Sequence, residues 1–242
     1  MPASLEEVRI NGLPSFAYYI ADFISKEEEQ VLLDKIETSP KPRWKQLSRR
    51  RLQTWPSDLH KDALLGSPLP KWLTEPIIPR LLSCPISVEG GHDHHIFGDS
   101  PHGQPNHVLI NEYLPGQGIM PHKDGPAYHP VVCTVSLRAS LCLDIYGSKE
   151  DGATEEDPRW RVLQEPRSLL ITTGDLYTEY LHGIQEVKEY TNLGPSTICN
   201  WDLLRSPHNI IDGRLERHTR TSLTYRDVLK VSRLSAKLMG KR

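Results

Sequence analysis

Apolar positions follow two regimes along the chain. Before residue 106 they come in blocks broken by prolines and charges; after it they come as brief β-prone runs separated by turn residues. In the first regime FAYYIADFI (16–24) alternates enough for a strand or an entry segment. Ser25 then precedes KEEEQVLLDKIE, with Glu28 three residues on. This capping box, followed by apolar Val31, Leu32 and Ile36, predicts a helix over about 26–38, stopped by Pro40. Residues 69–83 read as a short, proline-interrupted helical region, and 89–106 as a Gly- and His-rich loop. In the second regime HVLINEYL, GIMPH, VVCTVSL, LCLDIY, SLLITTG and TRTSLTYRDV read as strands. The acidic stretch 148–161 reads as a solvated hairpin loop, and 186–213 as a long excursion before the last strand. Six or more short strands suit a jelly-roll-like double sheet. The expected class is α+β, mainly β, in one domain. An N-terminal helical and lid region (1–105) would precede a β core (106–226) and a basic tail (227–242).

Composition narrows the function. The 242 residues carry a net charge of −2, which excludes a uniformly basic, histone-like binder and confines any nucleic-acid contact to a local patch. No run of 18 apolar residues occurs, so no transmembrane helix and no membrane partner are expected. The start lacks the basic and apolar regions of a secretory signal. Cys84, Cys133, Cys142 and Cys199 form no CxxC pair and read as buried, reduced thiols, consistent with a cytoplasmic and nuclear monomer. The local basic patch is residues 41–55, where Lys41, Arg43, Lys45, Arg49, Arg50 and Arg51 occur without an acid, interleaved with Trp44 and Trp55. These cations suit phosphates and the indoles suit base stacking. A solvated loop with one tryptophan in the core fits the same pattern. Tyr128 and His129 either line the mouth of a site or pack as loop residues.

The sharpest chemistry lies in His122-Lys123-Asp124. On an extended segment residues i and i+2 share a face, so an imidazole and a carboxylate can reach one ion. A surface ion pair has the same spacing. His182, which follows a β-prone run and a Gly-Asp turn and precedes Gly183-Ile184, is the candidate third ligand. Two histidines and a carboxylate on one face leave coordination positions open, the mark of a non-haem Fe(II) oxygenase. His92, His94 and His95 lie in the Gly-rich loop and read as a solvated run.

A second constellation is Arg220-Thr221-Ser222-Leu223-Thr224-Tyr225-Arg226. In a strand, 220, 222, 224 and 226 share a face, with Leu223 and Tyr225 opposite. Two inward guanidinium groups are costly unless an anion meets them. A small dicarboxylate would, with one end on an arginine and the other on iron; an edge strand with solvated arginines is the alternative. Asn111 and Tyr113 supply a second polar face, or a turn cap and a core tyrosine.

At these residues the sequence resembles the AlkB family of Fe(II)/2-oxoglutarate dioxygenases, and most of all its homologue-six branch. NEYLPGQGIMPHKDG, VVCTVSLRASLCLDIY, EPRSLLITTGDLYTEYLHGI and RTSLTYR match in the family's order, over about half the chain. DFISKEEEQVLL and PKPRWKQLSRRRLQTW extend the likeness to the branch. The resemblance implies a double-stranded β-helix, with His122, Asp124 and His182 as iron ligands. It implies Asn111 and Tyr113 beside 2-oxoglutarate, and Arg220 on its distal carboxylate with Ser222 and Arg226 in the same pocket. It also implies oxidative N-demethylation of RNA or single-stranded DNA with O2, giving succinate, CO2 and formaldehyde, under a lid formed by the front region. Two departures stand out. Arg138 replaces a glycine common in relatives, which puts the local turn in doubt. No acid follows Asp124 two positions on, which leaves the substrate open. Nucleic-acid binding without turnover, oxidation of a protein side chain, and zinc hydrolysis are the competing functions. The paired arginines and the lack of an obvious base argue against the last.

Overall fold

In the computed structural model, residues 1–87, 94–149 and 151–232 are described. His92 and the tail beyond residue 232 fall outside them. The front region contains β1 (Ala17–Ile20), α1 (Lys26–Glu37), β2 (Lys45–Gln46), β3 (Arg51–Trp55), β4 (Ala63–Leu65), α2 (Lys71–Thr74) and α3 (Ile77–Leu82). The rest adds β5 (His107–Tyr113), β6 (Ile119–His122), β7 (Val131–Leu137), β8 (Leu141–Tyr146), β9 (Trp160–Gln164) and β10 (Leu169–Thr173). After α4 (Asp175–Thr178) come β11 (Leu181–Ile184), β12 (Glu189–Tyr190), β13 (Leu215–Glu216), β14 (Arg220–Arg226) and β15 (Lys230–Ser232).

Two antiparallel sheets face each other. The major sheet runs β1-β10-β7-β14-β5-β3-β2 and the minor sheet β6-β11-β8-β9. This is the double-stranded β-helix expected. Period-two alternation assigns each face of the major sheet its role. Val108, Ile110, Leu223 and Tyr225 turn outward onto Leu32 and Ile36 of α1, Leu73 of α2 and Ile77 and Leu81 of α3, forming the largest apolar core. The Tyr225 hydroxyl, buried among them, donates to the Leu73 carbonyl at 2.9 Å. Leu109, Asn111, Tyr113, Arg220, Ser222, Thr224 and Arg226 turn the other way, into a cavity between the sheets.

Several sequence expectations are sharpened. The capping box at Ser25 and Glu28 forms in both directions. Val31, however, is 56% exposed, because the inward stripe of this short helix is Leu32 and Ile36 alone. The front region is not only helices and lid: β1, β3 and β2 extend both edges of the major sheet. The acidic insert ends earlier than its composition suggests, since Trp160 and Arg161 already belong to β9 and pair with Ile145 and Asp144. The tail begins as β15, parallel to β4. Arg138 takes the glycine-like conformation the turn demands, at φ +70°, and is held by its backbone N–H on Glu29 (2.7 Å) and its guanidinium on Glu37. All four cysteines are free thiols, three of them buried.

Candidate metal and cosubstrate site

His122 and His182 meet because β6 and β11 pair antiparallel with these two residues opposite each other. Directly opposed side chains start from Cβ atoms about 5 Å apart, and here the ring centroids lie 4.4 Å apart. Gly183 permits the approach. A Cβ there would come within 3.1 Å of the Ile119 carbonyl and the Pro121 nitrogen. Asp124 follows β6 by two residues, and the turn after it is pinned by the Tyr177 hydroxyl, which donates to the Gly125 carbonyl at 2.6 Å. Its Oδ1 lies 4.0 Å from His122 Nε2 and 3.9 Å from His182 Nε2. One ligand atom from each of the three residues falls within 4.8 Å of the others, and no other such group of three occurs among the described residues. His95 instead accepts from the Phe97 amide through Nδ1.

The surroundings suit a cation. His122 Nδ1 lies 2.9 Å from the Met120 carbonyl, so its proton is held there and Nε2 offers a lone pair. Burial lowers the His182 pKa to about 4 despite the attraction of Asp124, so this imidazole is neutral at pH 7. Burial works to raise the Asp124 pKa, but Arg226, His182 and His122 outweigh it and the carboxyl stays below its ordinary range. Arg226 Nη1 touches Asp124 Oδ2 at 2.9 Å while its plane covers Tyr128 at 4.0 Å. Arg226 therefore lies against the ligand carboxylate at the metal end of the pocket.

Arg220 occupies the other end. It lies six residue steps along β14 from Arg226, about 20 Å of extended chain. It is 3% exposed, and Nη2 donates to Ser136 Oγ at 2.8 Å and Gln164 Oε1 at 3.2 Å, while Nε has no partner. Burial lowers its pKa to about 10, which still leaves a cation at neutral pH. Tyr113 stands opposite Arg220 and Asn111 opposite Ser222 in the β5–β14 register. Burial raises the Tyr113 pKa against the pull of Arg50, Arg220 and Arg217. The buried Asn111 Oδ1 also lacks a partner. The cavity between these ends is about 120 Å³, walled by Leu109, Val132, Leu170, Leu176 and Ile145. Two imidazoles and a carboxylate converging on one point fit a divalent iron. A buried guanidinium whose Nε N–H has no partner fits a small anion beside it.

The basic stretch divides. Arg50 lines the cavity. Three of the other cations are paired with acids. Arg49 pairs with Glu186, Lys45 with Asp58, and Arg51 bidentately with Glu112 at 2.6 and 3.0 Å. Arg51 covers a Trp44 face at 4.1 Å and Arg43 a Trp55 face at 4.2 Å, and both indoles pack against the main core. Trp55 also meets Trp72 edge-on and bonds Gln53 through its ring N–H. Tyr128 is held between Arg226 and His107. The reading of Trp44 and Trp55 as ready stacking platforms therefore gives way to one of arginine-capped packing residues.

Sequence reasoning missed Gln164 and Thr134 in the pocket, Ser136 as a buried partner of Arg220, and Arg217. Arg217 is 1% exposed and donates to the carbonyls of Gln117, Gln185 and Val187, tying the loops that flank β6 and β11. A lone arginine three residues before β14 carries no sequence signal. The Ser and Gln partners become visible only once the sheet register is known.

Comparison with known proteins agrees with this geometry. The model of the 2OG-Fe(II) oxygenase superfamily matches residues 43–226. A Danio rerio protein named "Probable RNA/DNA demethylase ALKBH6" is 38% identical over 98% of this chain and 96% of its own length. A Xenopus tropicalis tRNA (carboxymethyluridine(34)-5-O)-methyltransferase, alkbh8, is 28% identical over 93% of this chain, which spans 33% of that protein. Among solved structures, OsALKBH1 superposes with a TM-score of 0.53 at 14% identity, covering 87% of this chain and 96% of that one. The likeness to OsALKBH1 supports the fold, and the full-length relative supports the branch. The chain belongs to the 2OG-Fe(II) oxygenase superfamily and, within it, to the AlkB family as an ALKBH6-like oxidoreductase.

Proposed function

We propose that the chain binds Fe(II) through His122, Asp124 and His182 and uses 2-oxoglutarate and O2 to remove N-methyl groups from nucleic acid. The observation that carries this is the single cavity with a two-histidine, one-carboxylate corner at one end and an unneutralised buried arginine at the other. The relation to the Danio rerio probable RNA/DNA demethylase supports the nucleic-acid substrate. When bound, iron and 2-oxoglutarate supply the redox chemistry, converting the keto acid to succinate and CO2 while the methyl carbon leaves as formaldehyde.

The chain's own contribution is positioning. Arg226 keeps Asp124 ionised, Met120 fixes the His122 tautomer, and burial keeps His182 neutral. Arg220 would hold the distal carboxylate of 2-oxoglutarate, with Asn111, Tyr113 and Ser222 filling its remaining hydrogen-bond positions. The apolar walls exclude water from the reacting end. A base must leave its stack to reach His122, which is part-exposed at the cavity mouth, so single-stranded substrates are favoured. Incubation of the iron-loaded protein with 2-oxoglutarate and methylated single-stranded RNA or DNA tests the reading. Succinate and formaldehyde in equal amounts are expected. No consumption of 2-oxoglutarate under any of these conditions contradicts it.

A further inference from the structure

Three consecutive arginines precede and open β3, and their fates differ. Arg49 is neutralised by Glu186 and Arg51 by Glu112. Arg50, between them, has a buried Nε without a partner and lines the inter-sheet cavity. The register explains the difference. Arg51 pairs with Glu112 and Leu52 with Asn111; Arg50 immediately precedes β3, and its charge acts on Tyr113, which lies opposite Arg220. Arg50, Tyr113 and Arg220 all line the cavity, and Tyr113 and Arg220 form a row across β5 and β14. That row lies at the end of β14 remote from Arg226 and Asp124. Two cations converge there, and no carboxylate lines that end of the cavity among the described residues. Holding two guanidinium groups in one part-buried pocket is unfavourable until an anion bridges them.

We infer that Arg50 is a second anchor for the distal carboxylate of 2-oxoglutarate, delivered by the β2–β3 hairpin from the side opposite Arg220. The inference rests on the cosubstrate reading given above. It also makes the hairpin part of the cosubstrate site, so that binding 2-oxoglutarate secures the segment that carries Trp44 and Trp55. The Leu47 N–H donates to the Arg50 carbonyl at 2.9 Å and closes the hairpin turn, while Lys45, Arg49 and Arg51 of the hairpin are paired with acids.

The test is calorimetric titration of the manganese(II)-loaded chain, without O2, using 2-oxoglutarate and 2-oxopentanoate. The second ligand keeps the keto and C1-carboxylate groups but lacks the distal carboxylate. In R50A, 2-oxoglutarate affinity is expected to fall about tenfold while 2-oxopentanoate affinity stays within about twofold, and R50K is expected to recover part of the loss. Equal losses for both ligands would mean that Arg50 only supports the fold. Unchanged 2-oxoglutarate affinity with weakened binding of a single-stranded oligonucleotide would move Arg50 to the substrate. Either result overturns the inference while leaving the cosubstrate reading intact. A wild-type chain that binds no 2-oxoglutarate removes both.

Discussion

The β6–β11 corner and the segment 41–55 that carries the β2–β3 hairpin both stand out in the sequence, the first for two histidines and an aspartate, the second for six cations and two tryptophans. In the structure they behave in opposite ways. The corner turns its functional atoms toward one another: two imidazole nitrogens and a carboxylate oxygen converge within 4.8 Å. The hairpin spends most of its charge internally, on Asp58, Glu186, Glu112 and two indole faces. A run of cations therefore says little about the charge offered to a partner, because acids distant in sequence fold onto it. A ligand triad is more readable, since the i, i+2 spacing and a strand partner fix where its atoms point.

That contrast can be broken most severely at the corner. H182A or D124A should reduce bound iron and 2-oxoglutarate turnover by about a hundredfold or more, with the far-ultraviolet circular dichroism unchanged. Iron retained at wild-type stoichiometry would contradict the assignment. At the other end of the cavity, R220M should weaken 2-oxoglutarate binding by about 2–5 kcal/mol, the usual cost of leaving a buried charge unpaired; titration calorimetry measures it. The frame behind the corner is less sensitive. G183A should lower stability by about 1–3 kcal/mol in urea unfolding and reduce metal affinity with it, because the new methyl presses on the β6 backbone. At the hairpin the effect should nearly vanish. R49Q breaks an exposed pair and should change stability by less than about 1 kcal/mol. Its affinity for single-stranded oligonucleotides should change no more than about threefold. A large loss of oligonucleotide binding in R49Q would show that the pair opens to receive phosphate, and would erase the contrast.

A pH experiment sharpens the same comparison from the core side. His107, 1% exposed beside Arg226 and Tyr128, has its pKa lowered to about 4, first by burial and then by the Arg226 charge. Its unfolded value is about 6.5. The unfolded chain therefore binds the extra proton between those values, so stability is full above pH 6.5 and falls as the pH drops toward 4. The expected contribution is about 3 kcal/mol. A His107→Gln variant should make that part of the stability profile shallower, leaving the slope due to His182.

The parts legible in the sequence were those governed by local rules. The capping box at Ser25, the period-two faces of β5 and β14, and the HxD triplet each depend on neighbours a few residues away. What stayed hidden depends on register between distant segments. Val31 follows helical spacing but falls off the buried stripe, and β9 starts inside an acidic stretch whose composition suggests a loop. Arg50 and Arg51 are identical as letters, yet one faces the cavity and the other Glu112, because one register step in a strand reverses the face. Arg217, with its three carbonyl partners, gives no local pattern at all.

The most direct measurement is a crystal structure of the chain soaked with manganese(II) and 2-oxoglutarate under argon. One metal ion about 2.0–2.2 Å from His122 Nε2, His182 Nε2 and an Asp124 oxygen, with the far carboxylate of the keto acid on Arg220, is the predicted result. A metal bound elsewhere, or a keto acid whose far carboxylate points away from Arg220, would contradict the account.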